Sequence, residues 1–162
     1  MKIRILLAII FTVIFSACND DIIYREFINL GKSWPLSKKV SFNIDKTSFN
    51  IDYDYDIYIH LRNNNKYQYS NIFLIGIIKD SINIIEKDTL EYVMANSEGK
   101  WLGKGFSSLK ESKLWWKSNY KLPDVNTLTF EIDQVTRKNG NQYQDNDLIG
   151  IIDIGLSIET SK

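Results

Sequence analysis

Residues 53–62 alternate strictly between two kinds of side chain, and this alternation limits the chain's possible folds more than any other feature. The apolar and aromatic set comprises Tyr53, Tyr55, Ile57, Ile59 and Leu61. The second, mostly polar set comprises Asp54, Asp56, Tyr58, His60 and Arg62, and Asp52 continues it before the segment. Successive side chains of a β-strand point to opposite faces, so a period of two places one set on a core and the other in solvent. The segment is predicted to be a half-buried antiparallel strand.

Further segments extend this β pattern along the chain. Alternation runs through residues 40–45, 127–133 and 151–158, a shorter strand covers 91–95, and the nearly continuous apolar run 72–78 suits a central strand covered on both faces. Six to eight evenly spaced strands predict an all-β fold, an antiparallel β-sandwich with long loops, of which residues 139–147 form one. Only residues 107–116 could hold one short helix. With 162 residues there is room for one such domain, assigned to residues 39–160.

The N-terminus has the features of an export signal. Lys2 and Arg4 precede an uncharged apolar run, residues 5–15, which is too short to span a bilayer. Small side chains then precede Cys18, the only cysteine, which resembles a bacterial lipobox with Phe15 where Leu is usual. The alternative is an ordinary secretory signal with an incidental cysteine.

These features define the expected organisation of the precursor. Residues 1–17 are assigned to a lipoprotein signal peptide, Cys18 to lipid attachment, and residues 18–38 to a tether. The two or three acyl chains of a bacterial lipoprotein hold a protein lastingly on a membrane. The acidic tract at residues 19–21 resembles an export signal for the outer face of the outer membrane, or is a solvated spacer, so the sequence leaves the periplasmic and the surface face both open.

Charge and composition argue against several functions. Lys and Arg total 20, equal to Asp and Glu, so no basic field is present to hold nucleic acid. With His60 as its only histidine, which is expected to be an ordinary surface or edge residue, the chain cannot form a zinc site of the usual Cys and His kind. Neither a metal nor a cofactor is predicted.

Two possible binding motifs are rejected by their spacing, and one possible catalytic pair stays open. The carboxylates at 52, 54 and 56 resemble the start of a calcium loop, but Ile57 and Asn63 stand where that loop needs Gly and Glu. Residues 99–105 lack the spacing of a phosphate-binding loop and fit a tight turn under Trp101. Two carboxylates acting as a hydrolase pair stay open, because their separation is spatial. No catalytic residues are predicted, and the chain is expected not to be an enzyme.

The tryptophans are the candidate partner-binding surface. Trp101, Trp115 and Trp116 are dense for one stretch, and adjacent residues of a strand point to opposite faces, so one of Trp115 and Trp116 can lie in the core while the other is exposed. Exposed tryptophan is a common anchor for a protein or a sugar ring. The alternative is that the domain's own loops cover them. A lipid-anchored carbohydrate-binding β-sandwich is the second functional hypothesis.

Several segments form an ordered set that extends over nearly the whole mature chain: the lipobox at Cys18 and residues 55–63, 67–74, 88–92, 99–105, 134–137 and 148–156. Together they resemble the gliding-motility lipoprotein GldH family of Bacteroidetes. The departure is Val135-Thr136-Arg137, where the family suggests an Ala-Met-Arg-like ending, and it bears on local packing only.

The resemblance implies a function and a location. It implies an outer-membrane lipoprotein that is an accessory or structural component of the gliding machinery, associated with type IX secretion. The implied partners are other envelope proteins of gliding and type IX secretion, together with the membrane through the lipid. It implies no catalytic residues and no small-molecule substrate.

Overall fold

The computed structural model describes residues 21–135 and 147–162, which form two antiparallel four-stranded sheets packed face to face. In chain order the strands are β1 (Ile22–Asn29), β2 (Ser33–Pro35), β3 (Val40–Asp45), β4 (Asp54–Asn63), β5 (Asn71–Lys79), β6 (Ile84–Val93), β7 (Lys110–Lys121), β8 (Thr127–Gln134), β9 (Asp147–Ile149) and β10 (Ile151–Thr160). Sheet I has the order β1-β10-β4-β7, sheet II has β3-β8-β5-β6, and β2 pairs with β9. The predicted all-β antiparallel sandwich is confirmed.

The core lies between the two sheets and is formed by alternate residues of their strands. Tyr55, Ile57, Ile59 and Leu61 of β4 are at most 1% exposed, as the alternation predicts, whereas Tyr53 precedes the strand and is 55% exposed. Sheet II contributes Val40, Phe42, Ile44, Ile72, Leu74, Ile78, Leu128, Phe130 and Ile132. Burial of each large apolar side chain contributes about 1.5–3 kcal/mol, so this facing set is the main source of stability.

Residues 107–116, which the sequence left open to a short helix, do not form one. Strand β7 begins at Lys110 and pairs with β4 from Asn63 opposite Lys110 to Asp54 opposite Lys121. The extended backbone points Leu114 and Trp116 toward the core and at the same time forms the backbone hydrogen bonds to β4. A helix could not do both at this sheet edge. In the described ranges, helical structure is limited to the 3-10 turn Lys46–Ser48, and no helix there has the length and apolarity to cross a bilayer.

The domain begins earlier than residue 39. Strand β1 lies within the predicted tether and pairs with β10 from Ile22 opposite Glu159 to Asn29 opposite Asp153. Trp34 of β2 is fully buried, and its indole N–H donates to the Lys38 carbonyl oxygen at 2.7 Å. The sandwich therefore starts at Ile22. The predicted signal peptide, Cys18, and residues 136–146 lie outside the described residues, so the predicted loop at 139–147 is described only at Asp147, the first residue of β9.

Strand β5 lies inside sheet II, between β8 and β6, but its outer face is only partly covered. Phe73 is 37% exposed, and Ile75 is half-buried. The prediction of a strand covered on both faces is wrong on this point, because among the described residues sheet I packs against sheet II from the inner side and leaves the outer face of β5 partly exposed.

Side chains and a loop cover part of the free edge of β7. The backbone groups of Glu111 exchange two hydrogen bonds with those of Lys104, at 2.7 and 2.8 Å. The hydroxyl of Tyr92 on β6 donates to the carbonyl oxygen of Trp115 at 2.7 Å. The ammonium group of Lys117 pairs with carboxylates of β6 at 2.5 and 3.0 Å. These contacts join the edge strands of the two sheets.

Candidate functional site

Strand β7 places its two adjacent tryptophans on opposite faces, as the sequence predicts. Trp115 is 56% exposed, and Trp116 is 5% exposed. The outer face of the strand also carries Glu111 and Lys113, whose register partners Arg62 and His60 lie on the outer face of β4. Trp115 is therefore available to a partner on the outer face of sheet I.

Trp116 connects the two sheets. Its ring packs edge-on against Phe130 with centroids 5.9 Å apart, and its indole N–H donates to a carboxylate oxygen of Asp88 at 2.9 Å. It occupies the space above Gly76, where a Cβ would lie 2.4 Å from the indole ring. Trp116 is thus a core residue and is withdrawn from the candidate partner surface.

Trp101 is half-buried at the end of the sandwich where β7 begins. Its ring lies 6.0 Å from that of Tyr67, and its N–H donates to the amide oxygen of Asn65 at 3.3 Å. Gly99, with φ of +78°, is in the turn that precedes it. The tight turn therefore lies at residues 96–99, and Trp101 follows it in a bridge with Ala95 and packs on Tyr67.

The structure does not bring the three tryptophans into one groove. Trp116 lies in the core, Trp101 packs on a loop, and Trp115 projects alone from the middle of β7. A sugar ring stacks on exposed aromatic faces, and of these three tryptophans Trp115 alone is largely exposed. The carbohydrate-binding hypothesis lacks the aromatic surface that it requires.

His60 is the centre of a polar cluster on the outer face of sheet I that the sequence did not predict. It is 2% exposed, so the expectation of a surface histidine is wrong. Phe27 of β1 covers it, with ring centroids 5.4 Å apart, and Phe27 fits there because Gly155 below has no Cβ. The guanidinium of Arg62 lies 4.0 Å from the centre of the same Phe27 ring, in cation–π range.

Two hydrogen bonds orient the imidazole. Nδ1 lies 3.2 Å from a carboxylate oxygen of Glu111, and Nε2 lies 2.8 Å from the hydroxyl of Ser157. A carboxylate only accepts, so Nδ1 carries the proton and Nε2 of the neutral ring accepts from Ser157. Burial, and secondly the charge of Arg25, hold the pKa of His60 below its ordinary value. Burial therefore favours the neutral form of the ring in the folded protein.

Glu111 connects the cluster across three strands. Its carboxylate accepts from Arg62 of β4 at 2.8 Å and from Arg25 of β1 at 3.2 Å. Partial burial alone would raise the pKa of Glu111, but the hydrogen bond and charge of Arg62 outweigh that effect and lower it. The group is a stable carboxylate rather than a general acid.

A depression of about 500 Å³ adjoins this cluster on the same face. Its lining is mostly charged or polar and includes Arg25, Asp56, Tyr58, Glu111, Lys113 and Glu159. The carboxylate of Asp56 accepts from Ser118, Asn119 and Ser161 at 2.8–3.2 Å, and although burial would raise its pKa, these bonds lower it. Neither Asp56 nor Glu111 therefore has the raised pKa of a hydrolytic proton donor.

Glu111, His60 and Ser157 have the order of contacts of a catalytic triad, but not its access to substrate. Ser157 has no exposed surface, and it lies within β10 between β1 and β4. A nucleophile must reach a bound carbonyl carbon. The trio fastens β4, β7 and β10 to one another and is a structural element.

The residues around His60 were missed for an identifiable reason. Arg25 and Phe27 lie in the segment assigned to the tether, and Glu111 lies in the segment assigned to a possible helix. The available signal was the alternation of Arg25, Phe27 and Asn29 with Tyr24 and Ile28, which marks β1 as a strand. Among the described residues, no group of three or more His, Cys, Asp or Glu side chains is placed to hold a metal ion.

The buried His60 predicts a pH dependence of stability. Because its pKa is lower in the folded chain than the ordinary 6.5, the unfolded chain binds the proton first, and stability falls as pH drops below about 6.5. His60→Gln should flatten this slope in urea unfolding between about pH 7.5 and about pH 5.5. Glu111, with its lowered pKa, acts only at more acidic pH. Equal slopes in both proteins would contradict the prediction.

Comparison with known proteins identifies the family. The chain matches the family model described as GldH lipoprotein over residues 22–158. It is 43% identical over 155 residues to the "Gliding motility lipoprotein GldH homolog" of Christiangramia forsetii, covering 94% of this chain and 93% of that protein. It is 33% identical over 150 residues to the "Gliding motility lipoprotein GldH" of Flavobacterium johnsoniae, covering 91% and 90%.

The solved structures include a distant match that bears on neither fold nor function. It is the VP2 subviral particle of infectious bursal disease virus, with 16% identity, a TM-score of 0.38, and coverage of 84% of this chain and 33% of that one. The family match and both bacterial relatives, in contrast, extend over nearly the whole described sandwich and confirm the resemblance in the sequence. This chain belongs to the GldH lipoprotein family.

Proposed function

We propose that the chain is an outer-membrane lipoprotein that serves as an accessory or structural component of the gliding motility machinery, beside type IX secretion. The observation that carries the proposal is the near full-length similarity to two proteins named for gliding motility. Similarity over more than 90% of the chain makes a shared role of the whole domain the simplest expectation.

The proposed attachment to the membrane is through lipid on Cys18. An apolar run of signal-peptide length ends three positions before this residue, which is the only cysteine, and the family is described as a lipoprotein family. Two or three acyl chains would give lasting attachment. The domain itself would then lie outside the bilayer.

The domain is proposed to act by contact and without catalysis. The arrangement that most resembles a catalytic site in the described chain, around His60, has a fully buried serine. Trp115 projects from a rigid strand, and Trp101 lies near exposed Leu102 and Phe106 at the end of the domain where β7 begins. We expect these residues to contact other envelope proteins of gliding and secretion. The balanced charge gives no basis for nucleic-acid binding, and no small-molecule substrate or cofactor is proposed.

Complementation of a deletion strain tests the proposal. Deleting the gene should abolish gliding or impair secretion of surface adhesins, and the wild-type gene should restore both. Crosslinking on intact cells should recover gliding or secretion subunits with the anchored protein. Unimpaired gliding and secretion in the deletion strain would overturn the proposal.

A pair of variants tests the contact surface. Trp115→Ala should reduce crosslinked partner, because it removes the exposed indole from the outer face of sheet I. Phe73→Ala is the matched control, since Phe73 is an exposed aromatic on the outer face of sheet II. Equal recovery of partner with both variants would exclude Trp115 as a contact.

A further inference from the structure

Five exposed apolar side chains lie at the end of the sandwich where the described chain begins. They are Ile22, Ile51, Tyr53, Ile82 and Ile84, with exposed fractions of 38, 39, 55, 88 and 61%. We call these five residues the anchor-end patch. Exposed apolar residues are common on protein surfaces and also occur at the opposite end, so the meaning of this group depends on what its end of the domain faces.

The strand registers place these residues at a common end. In sheet I, Ile22 pairs with Glu159, Glu159 pairs with Asp56, and Asp54 pairs with Lys121. The starts of β1 and β4 therefore meet the ends of β10 and β7. Residues 51 and 53 directly precede β4, so they lie at this end as well.

Sheet II brings its β5–β6 turn to the same end. Glu86, near the start of β6, pairs with Lys117 at 2.5 Å and accepts a hydrogen bond from Tyr120, both near the end of β7. Ile84 begins β6, and Ile82 lies in the turn just before it. Both isoleucines thus lie at the same end of the sandwich as Ile22, next to β7, with β10 and β4 between them and β1.

The turn that carries Ile82 is held rigidly. The carboxylate of Asp80 accepts from the backbone N–H groups of Ile82 and Asn83 at 2.7 and 2.5 Å, and the backbone N–H of Asp80 donates to the Asn83 carbonyl at 3.0 Å. Turns of this kind favour small polar residues. An isoleucine that is 88% exposed at this position is projected outward rather than accommodated.

The length of the tether limits what this end can face. Only residues 19–21 separate Cys18 from Ile22, the first residue of β1. Four residue steps of extended chain span at most about 14 Å. We propose that the anchor-end patch rests on the surface of the bilayer that holds the lipid of Cys18, an inference that depends on the lipid attachment proposed above.

Because the patch lies at one end of the strands, it favours a domain whose strands run away from the membrane over one whose strands lie along it. Strand β7 has 12 residues and is about 40 Å long, so its first residue lies far from this end. Tyrosine and isoleucine suit the boundary of headgroups and acyl chains. At the rim, Lys162 pairs with Asp21 and Lys46 with Asp124, so both signs of charge meet the headgroups, as suits zwitterionic lipids.

The orientation can be measured with the lipid supplied chemically. The chain from Cys18 to Lys162 is coupled through the Cys18 thiol to a maleimide lipid in phosphatidylcholine and phosphatidylethanolamine vesicles. An azide-bearing amino acid at position 82, or at position 106 at the opposite end, carries an environment-sensitive dye. Brominated lipids should quench the dye at 82 and leave the dye at 106 unquenched.

A matched pair of variants tests the patch itself. Ile84 and Val93 lie at the two ends of β6 and are each 61% exposed. Ile84→Asp should lose the quenching of the dye at 82, whereas Val93→Asp should retain it. No quenching at 82, equal quenching at 82 and 106, or equal effects of the two variants would overturn the proposal. Because the lipid is supplied chemically, absence of lipid on Cys18 in cells would refute the anchor and leave this result unaffected.

Discussion

Trp116→Ala should lower the free energy of unfolding by about 3–5 kcal/mol, whereas Trp115→Ala, its neighbour in sequence, should change it by less than about 1 kcal/mol. Truncation at 116 leaves a cavity between the sheets, against Phe130 and above Gly76, and removes the N–H donor of Asp88. Trp115 is 56% exposed and leaves no such void. Urea unfolding of the three proteins measures the difference.

A third variant separates the two contributions of the indole. Trp116→Phe retains a ring that packs between the sheets but has no N–H for Asp88. Its decrease in the free energy of unfolding should therefore fall between those of the two alanine variants. Asp88 retains its ion pair with the Lys117 ammonium at 3.0 Å, and this pairing limits the cost of the missing hydrogen bond. Equal destabilisation by Trp115→Ala and Trp116→Ala would show that the assignment of core and surface is wrong.

Cys18→Ser should abolish incorporation of a labelled palmitate and move the protein out of the detergent phase in phase partitioning. Each acyl methylene buried in a bilayer contributes about 0.8 kcal/mol, so losing two or three chains removes nearly all of the attachment. The variant should also fail to restore gliding or secretion in the deletion strain. Cys18 is the only cysteine, so no other thiol can take over.

The control for this prediction changes the same segment without changing the acceptor. Phe15→Leu places the usual lipobox residue three positions before Cys18, and it should keep full palmitate incorporation. Continued labelling of the Cys18→Ser protein would show that lipid is attached elsewhere and would refute the proposed anchor.

The sequence predicts the fold best where one face of a strand is buried and the other is exposed to solvent. In β4 the strict alternation matches the buried set Tyr55, Ile57, Ile59 and Leu61. In β7 local polarity obscures the pattern, and long-range pairing with β4 decides the conformation. In β1, Glu26 sits on the same side as Tyr24 and Ile28 and weakens the alternation, which is why this strand was assigned to the tether.

The candidate site is less predictable than the fold. Parity along a strand predicts that Trp115 and Trp116 lie on opposite faces, but which of them is buried depends on the bulged pairing of β7 with β4. The cluster at His60 joins residues of β1, β4, β7 and β10, and the residues that its hydrogen bonds connect are 49 to 97 positions apart in the sequence. No local pattern contains that information.

The covered edge of β7 bears on how these molecules behave when crowded. Lipid-anchored proteins are confined to two dimensions, where copies meet often and an open strand edge can template sheet growth from one molecule to the next. Here the loop at Lys104 already pairs with Glu111, and the Tyr92 hydroxyl occupies the Trp115 carbonyl. A neighbouring copy thus finds backbone groups at both positions already bonded, which disfavours pairing of strands from two molecules at this edge.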